Sequence, residues 1–560
     1  MHSFSLGERT WQMNGGHVLV EGLVAHGVNT AFAVPGESYL EVLDALYEKS
    51  DQIRLIGCRQ EGGAAYMAEA YGRLTGQPGI CFVTRGPGAT NASIGVHTAA
   101  QGSTPLILFI GQVPTSHQGY EAFQEMDYTA FFGGVAKWVT EVTHPDQIPE
   151  TINHAFTVST SDRPGPVVIA LPEDVLREET EKKIIPVTPI KNNSISEQEV
   201  QEIMANLQEA KKPVLLVGGG GWTATGRENL CRFAEKQNLP VVVGFRRQDL
   251  MDNNSSCYAG EAGVAMPPAV RQTLDEADVL LAVGVRFGEM TTDAYTLFQD
   301  RKQKILHVHS SEAEFDKVIK ADLHIRSNPN LAIAELLEMP NLGEGRELWR
   351  EETRNRFLST HIVPAAAIGV DMAAATAYLQ EVLPEDVIIT NGAGNFSVWP
   401  NKFFYYGSKA RLLAPQNGTM GYGLPAAISA KVAAPERVVV CFAGDGDFQM
   451  NMQELGSAMQ EEAQPIVLIV NNSMYGTIRM HQERRYPARV VGTDIKNPDF
   501  VSIARAYGFY SERVANIEEF KTAFDNALNS KTGAVLDLVV DPEMLTPQQS
   551  ITQARLLNER

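Results

Sequence analysis

What this sequence lacks narrows its function first. The 560-residue chain holds only five cysteines (Cys58, Cys81, Cys231, Cys257 and Cys441), each standing alone and most inside apolar runs. An odd number without Cys-x-x-Cys spacing builds neither a disulfide framework nor a zinc site. It reads as free thiols of a reducing compartment and predicts a cytoplasmic protein. Basic residues are in the minority, 47 Lys and Arg against 67 Asp and Glu, for a formal net charge of −20. With no basic run interleaved with aromatics, this argues against a nucleic-acid backbone as the main partner. Long hydrophobic runs are also missing: the stretches 105–110 and 465–470 fall far short of the roughly 20 residues a membrane span needs. The first residues, with Glu8 and Arg9, lack the apolar core of a signal peptide. There is no low-complexity segment and no internal repeat strong enough to read.

What is present is the composition of an ordinary globular protein, 44% hydrophobic and 20% charged, at a length that suggests three or four domains. Short apolar runs alternate with longer helical patterns almost throughout, which is the pattern of parallel-sheet α/β domains. Gly79–Thr84, Pro213–Val217, Val279–Val283 and residues 437–442 read as strands. Two stretches break the rhythm, 178–197 and 339–346, both polar and bearing proline or glycine. Read as linkers, they bound three doubly wound α/β domains at 12–178, 195–338 and 365–545, with a short polar tail after Pro547.

The most informative segment runs from Val438 to Gly476. A strand leads into Gly444-Asp445-Gly446-Asp447, a helical pattern follows with Met452, Leu455 and Met459 on one face, and a second strand ends at Asn471-Asn472. A strand–helix–strand crossover is parallel and right-handed, so both strands end at one edge of the sheet, where open α/β sheets bind ligands. Asp445 then offers a carboxylate, Asn472 an amide oxygen and Met474 a backbone carbonyl, a set suited to magnesium sharing its shell with phosphates. Gly444 and Gly446 allow a phosphate to approach the backbone. Taken alone, Gly-Asp-Gly is a common turn and Asn-Asn a common strand end.

The full spacing, with Asn472 twenty-seven positions after Asp445, resembles the thiamine-diphosphate signature. The chain from about 12 to 545 is similar to the acetohydroxyacid (acetolactate) synthase family in particular. Matching segments include Arg59-Gln-Glu-Gly-Gly63, Arg85-Gly-Pro-Gly-Ala-Thr-Asn91, Gly111-Gln-Val-Pro114 and Gly418-Thr-Met-Gly-Tyr-Gly-Leu-Pro425. The resemblance implies thiamine diphosphate and Mg2+ as cofactors and a pyrimidine-binding, a central and a diphosphate-binding domain. It implies that Glu61 pairs with the pyrimidine N1′ and so switches the cofactor on. It also implies that Met420 wedges the two cofactor rings together and that the carbonyl of Gly418 receives the 4′-amino group. Gly394, Asn395 and the loop to Asp447 would hold the diphosphate, and Ile478 would pack beside the rings. The substrate mouth would be formed by Ser38, Glu37, Phe123, Gln124 and His481. The first domain of one subunit would face the third of another, making a homodimer or homotetramer.

The resemblance also has gaps. In that family the central domain holds FAD; this chain keeps Gly218-Gly-Gly-Gly221 and Gly284-Val-Arg-Phe287. It has Gly288-Glu-Met290 where the family shows an acidic pair and an Arg, and His307-Val-His309-Ser-Ser311 where Asp is expected. The expectation is a bare structural domain, with FAD as the alternative. Met290 replaces the Arg expected to grip the carboxylate of a second 2-oxo acid, and Met cannot form that bidentate contact. His481 stands for a pocket Trp and Thr477 for its neighbouring Met. The reading is therefore decarboxylation of a 2-oxo acid such as pyruvate with carboligation to a second carbonyl compound. The alternative is a thiamine-diphosphate lyase, hydrolase or carboligase acting on a diketone, ketone or aldehyde. A nucleotide-dependent oxidoreductase built on Gly218–Gly221 and a binding protein that kept only the cofactor fold stand behind these.

Overall fold

The computed structural model describes residues 13–188, 192–363 and 365–556. It contains three six-stranded sheets, each parallel throughout, and no described helix is long and apolar enough to cross a membrane. The chain divides into two compact units, one ending at residue 190 and holding the first sheet, the other holding the second and third.

The first sheet is built from β1 (Thr30–Ala33), β2 (Arg54–Gly57), β3 (Gly79–Thr84), β4 (Leu106–Gln112), β5 (Trp138–Glu141) and β6 (Pro166–Pro172). Its spatial order is β2-β1-β3-β4-β6-β5, and helix α1 (Glu61–Thr75) leads from β2 to β3. The middle strands are continuous apolar runs because both faces are covered by helices; every residue of β4 and β6 is buried. The two-residue strands Met13–Asn14 and Glu179–Thr180 pair antiparallel, so the ends of the first domain are tied to each other.

The central sheet comprises β7 (Pro213–Val217), β8 (Val241–Gly244), β9 (Tyr258–Ala262), β10 (Val279–Val283), β11 (Lys304–His309) and β12 (Leu323–Arg326), in the order β9-β8-β7-β10-β11-β12. This is the order of dinucleotide-binding sheets, with its crevice between β7 and β10. The linker expected at 339–346 only turns the chain. Helix α2 (Glu347–Ser359) follows it and packs back on the central domain, burying Trp349 and Phe357. Those two aromatics, spaced eight apart on a polar helix, are what attach it, and the passage to the third domain lies after Ser359.

The third sheet runs β14-β13-β15-β16-β18-β17, from β13 (Ile388–Asn391), β14 (Arg411–Leu413), β15 (Val439–Gly444), β16 (Ile466–Asn471), β17 (Tyr510–Val514) and β18 (Ala534–Val539). Its order repeats that of the first sheet strand for strand, a repeat invisible in the residues because buried strands accept any β-branched or aliphatic side chain of the right size. The helix expected after Gly446 is broken. Helix α3 is only Asp445–Gln449, a 3-10 turn covers Met452–Glu454, and a second short helix spans Leu455–Gln460. Asn451 causes the break: its backbone leaves the helical region and its amide donates to the carbonyl of Gly421 at 2.8 Å. In consequence Leu455 is buried, whereas Met459 is 54% exposed.

Candidate active site

Strands β15 and β16 are parallel neighbours with Gly444 opposite Val470. That register brings Asp445 and Asn472 to the same edge of the third sheet, as the crossover rule requires. They line a cavity of about 260 Å3 together with Gly394, Gly418, Met420 and Ile478. Asn395, Gly444, Gly446, Asp447, Met474 and Thr477 are on its walls as well. The third-domain residues singled out for the cofactor therefore converge on one space, although they come from four separate loops.

The donor set fits a hard cation. Asp445 is 2% exposed, and no basic side chain lies within ion-pair distance of it among the described residues. Burial pushes its carboxyl above the usual range, with hydrogen bonds from Asn497 and Gly446 pulling the other way. A buried carboxylate without a counter-charge is costly, and a divalent cation offsets that cost. Asn472 bends its own loop, its Oδ1 accepting from the N–H of Met474 at 3.2 Å. The backbone here is tightly packed: a Cβ on Gly446 would lie 2.6 Å from the Tyr475 ring, and one on Gly444 would lie 2.8 Å from Phe396.

Two residues outside the motifs complete this edge. The Nδ2 of Asn497 donates to Asp445 Oδ2 at 2.7 Å and to Asn471 Oδ1 at 3.0 Å, while its own Oδ1 accepts from Gln449. Asn497 sits fifty-two residues beyond Asp445 in an irregular stretch, and nothing in its local sequence marks it. Groups that orient a metal ligand contribute about 10–100-fold to affinity or activity. Asn497→Ala is therefore expected to weaken magnesium-dependent cofactor binding by about that factor with an unchanged melting temperature; calorimetry on the variant reads it.

Asp447, also on the cavity wall, spends its carboxylate on backbone N–H groups. Its carboxylate is buried and accepts from the N–H groups of Gly421 at 2.9 Å and Ala393 at 3.2 Å. Burial raises it to about 7. It thus clasps the Gly418–Gly421 loop, which carries Met420, to the loop that carries Gly394. Gly418 and Gly421 both have positive φ, at 65° and 77°, so this loop needs glycine at both ends. Asn395 accepts from Thr477 Oγ1 at 2.9 Å, and both residues are on the cavity wall.

In the first domain, Glu61 opens helix α1 shortly after β2. Its Oε2 accepts from Nδ2 of Asn91 at 2.9 Å, which orients the carboxyl group. Ser38 is fully buried, its hydroxyl bonded to Thr84 Oγ1 at 2.7 Å, so it stands behind the surface, not on it. Phe123 is 75% exposed, and Gln124 takes a left-handed backbone (φ 67°) with its carbonyl bound by Gly86 N–H. His481 is exposed on helix α4 (Gly476–Arg485), and neither it nor Met290 lines the cavity.

Packing governs two features of the central crevice. Gly219 (φ 76°) is required by packing, since a Cβ there would lie 2.1 Å from the carbonyl oxygen of Gly284. Within β11, in the segment where the resemblance leads one to expect Asp, His307 is fully buried with Nε2 on the carbonyl of Val285 at 3.0 Å. Burial holds it down to about 4, so it is a neutral core imidazole.

Residues 13–131 match the model of the thiamine pyrophosphate enzyme N-terminal TPP-binding domain, 200–336 its central domain, and 392–538 its C-terminal TPP-binding domain. The acetolactate synthase large subunit of Parasynechococcus marenigrum is 32% identical over 548 residues, covering 94% of this chain and 88% of that protein. The large subunits of Escherichia coli acetolactate synthase isozymes 3 and 2 are 31% and 30% identical, over 96% and 94% of this chain and 96% of each relative. The chain therefore belongs to the thiamine pyrophosphate enzyme family, among the relatives of the acetolactate synthase large subunits.

Proposed function

We propose that this enzyme decarboxylates a 2-oxo acid, pyruvate first, and joins the remaining two-carbon unit to a second carbonyl compound. The observation that carries the reading is the buried Asp445, without a counter-charge, beside Asn472 in a cavity shared with Gly418 and Met420. Thiamine diphosphate, when bound, supplies the electron sink that lets carbon dioxide leave. The oxygens of Asp445 and Asn472 and the carbonyl of Met474 would hold magnesium. The backbone at Gly394, Gly444 and Gly446 would lie against the diphosphate. Met420 would hold the rings folded, the Gly418 carbonyl would accept from the 4′-amino group, and Glu61 would share a proton with N1′. Glu61 and Asp445 stand in different domains, and, as the resemblance implies, the first domain of one subunit would face the third domain of another in a homodimer or homotetramer. The cysteines, four of the five buried and none in a disulfide, fit a cytoplasmic location.

The central domain is proposed as structural, without FAD, because packing accounts for Gly219 and the buried His307 stands where Asp is expected. The purified protein should be colourless, with no stoichiometric flavin absorption in the visible range; a yellow protein with one flavin per chain overturns this.

The acceptor reading rests on the resemblance at Met290 and His481, neither of which lines the cavity of the single chain. A second oxo acid loses a charge-assisted contact of roughly 1.5–3 kcal/mol, or about 10- to 150-fold in discrimination. A neutral aldehyde or ketone is therefore expected to compete well with a second pyruvate, and Met290→Arg to shift products back toward acetolactate. One mixed-acceptor reaction, with products counted by chromatography, decides it. Almost pure acetolactate from the wild type would make a plain acetolactate synthase the better description. Cleavage of a diketone without net ligation would instead favour the lyase or hydrolase reading.

A further inference from the structure

A second and larger cavity, of about 550 Å3, lies within the unit formed by the central and third domains. Its volume is in the range of sites that enclose small organic ligands. One wall is aromatic: Phe357, His361 and Tyr405 pack ring against ring, with centroids 4.6–6.1 Å apart, and Tyr258 meets Phe357 at 5.1 Å. Ile362, 84% exposed, stands among the lining residues where the cavity opens to solvent.

Two opposite charges share this space. Glu261, at the end of β9, accepts from the backbone N–H of Arg246 at 2.8 Å. Lys402 donates to the carbonyl of Ala265 at 2.8 Å. Among the described residues, neither is within ion-pair distance of any opposite charge, including each other. Burial pushes the Lys402 ammonium down and the Glu261 carboxyl up, while each is the leading charge felt by the other. The ammonium is also presented from a fixed backbone. It belongs to the π-helical turn Trp399–Phe403, whose carbonyls are held by His361 Nε2 on Lys402 at 2.7 Å and by Tyr406 Oη on Pro400 at 2.9 Å. Such turns break regular helix geometry and recur at functional sites.

A ligand that satisfies both groups must itself carry both charges. A simple carboxylate or phosphate would meet Lys402 but place its charge against Glu261, and a simple amine would do the reverse. The geometry points to a binding site for a small zwitterion: an amino carboxylate whose carboxylate meets Lys402, whose ammonium meets Glu261, and whose aryl side chain lies on the Phe357–Tyr405 wall. This site is separate from the cofactor cavity, which shares no lining residue with it. The two are nonetheless connected by one turn, since Trp399 lines the first and Lys402 the second, which suits an effector.

The test is calorimetry on the holoenzyme with three probes of one shape: L-phenylalanine, 3-phenylpropanoate and phenethylamine. Phenylalanine should bind saturably, and each singly charged analogue about tenfold or more weakly, the loss expected for one charge-assisted contact. Lys402→Met and Glu261→Gln should each weaken phenylalanine by a similar factor, and Glu261→Gln should narrow the gap between phenylalanine and 3-phenylpropanoate. Should Lys402→Met fail to fold, the wild-type panel and the near-isosteric Glu261→Gln still decide. No saturable binding of phenylalanine, equal binding of the three probes, or competition between phenylalanine and pyruvate would each overturn the assignment.

Discussion

Asp445→Ala is expected to abolish magnesium-dependent binding of thiamine diphosphate, and the reason also predicts what it leaves intact. The Asp445 carboxylate is buried, with Asn497 and Gly446 as hydrogen-bond partners. Removing one member of a buried, opposite-charge contact costs about 3–5 kcal/mol, or roughly 10²–10⁴-fold in affinity. In the apo protein the same change removes an uncompensated buried charge, so it should be neutral or slightly stabilising. The two effects separate in a melting experiment. Wild type should gain stability on addition of magnesium and thiamine diphosphate by mass action, whereas the variant should start at an equal or higher melting temperature and gain nothing. Calorimetric binding as tight as wild type would show that the cation is held elsewhere.

Glu61→Gln carries the second large effect. Its side-chain oxygen can still accept from Asn91, so the local geometry stays close to that of the 2.9 Å contact, but an amide cannot share a proton with N1′. Lost acid–base catalysis of this kind slows a step by about 10²–10⁴-fold. Hydrogen–deuterium exchange at C2 of the bound cofactor reads that step without any substrate, so the result does not depend on knowing the acceptor. Cofactor affinity should change far less than exchange. Exchange at the wild-type rate would remove Glu61 from the role, even if turnover were lost.

Much of what lines the candidate site was legible in the sequence, for a definable reason. Asp445, Asn472 and Glu61 each stand at the junction of an apolar strand and the next element, and a parallel crossover leaves little choice about where such junctions lie. Positions that depend on a single loop's backbone, such as Gly418 with its positive φ, were likewise marked by glycine itself. Contacts that act across long sequence separations were not marked. Asn497 reaches Asp445 from fifty-two residues away, and Asp447 spends its carboxylate on the N–H groups of two other loops. A local motif contains no information about either contact.

The sequence alone determined the class of fold, the three-domain division and the edge at which Asp445 and Asn472 lie, because strand periodicity, crossover handedness and the spacing from Asp445 to Asn472 are local or nearly local constraints. Tertiary structure decided what those constraints leave free. It broke the expected helix at Asn451, returned helix α2 to the central domain through Trp349 and Phe357, and gave the first and third sheets one strand order without shared residues. It also turned His307 into the core, hid Ser38 behind Thr84, and set Lys402 and Glu261 in one cavity from segments more than a hundred residues apart. Each of these outcomes depends on which surfaces meet when the layers pack, and packing responds to shape and burial summed over many distant residues.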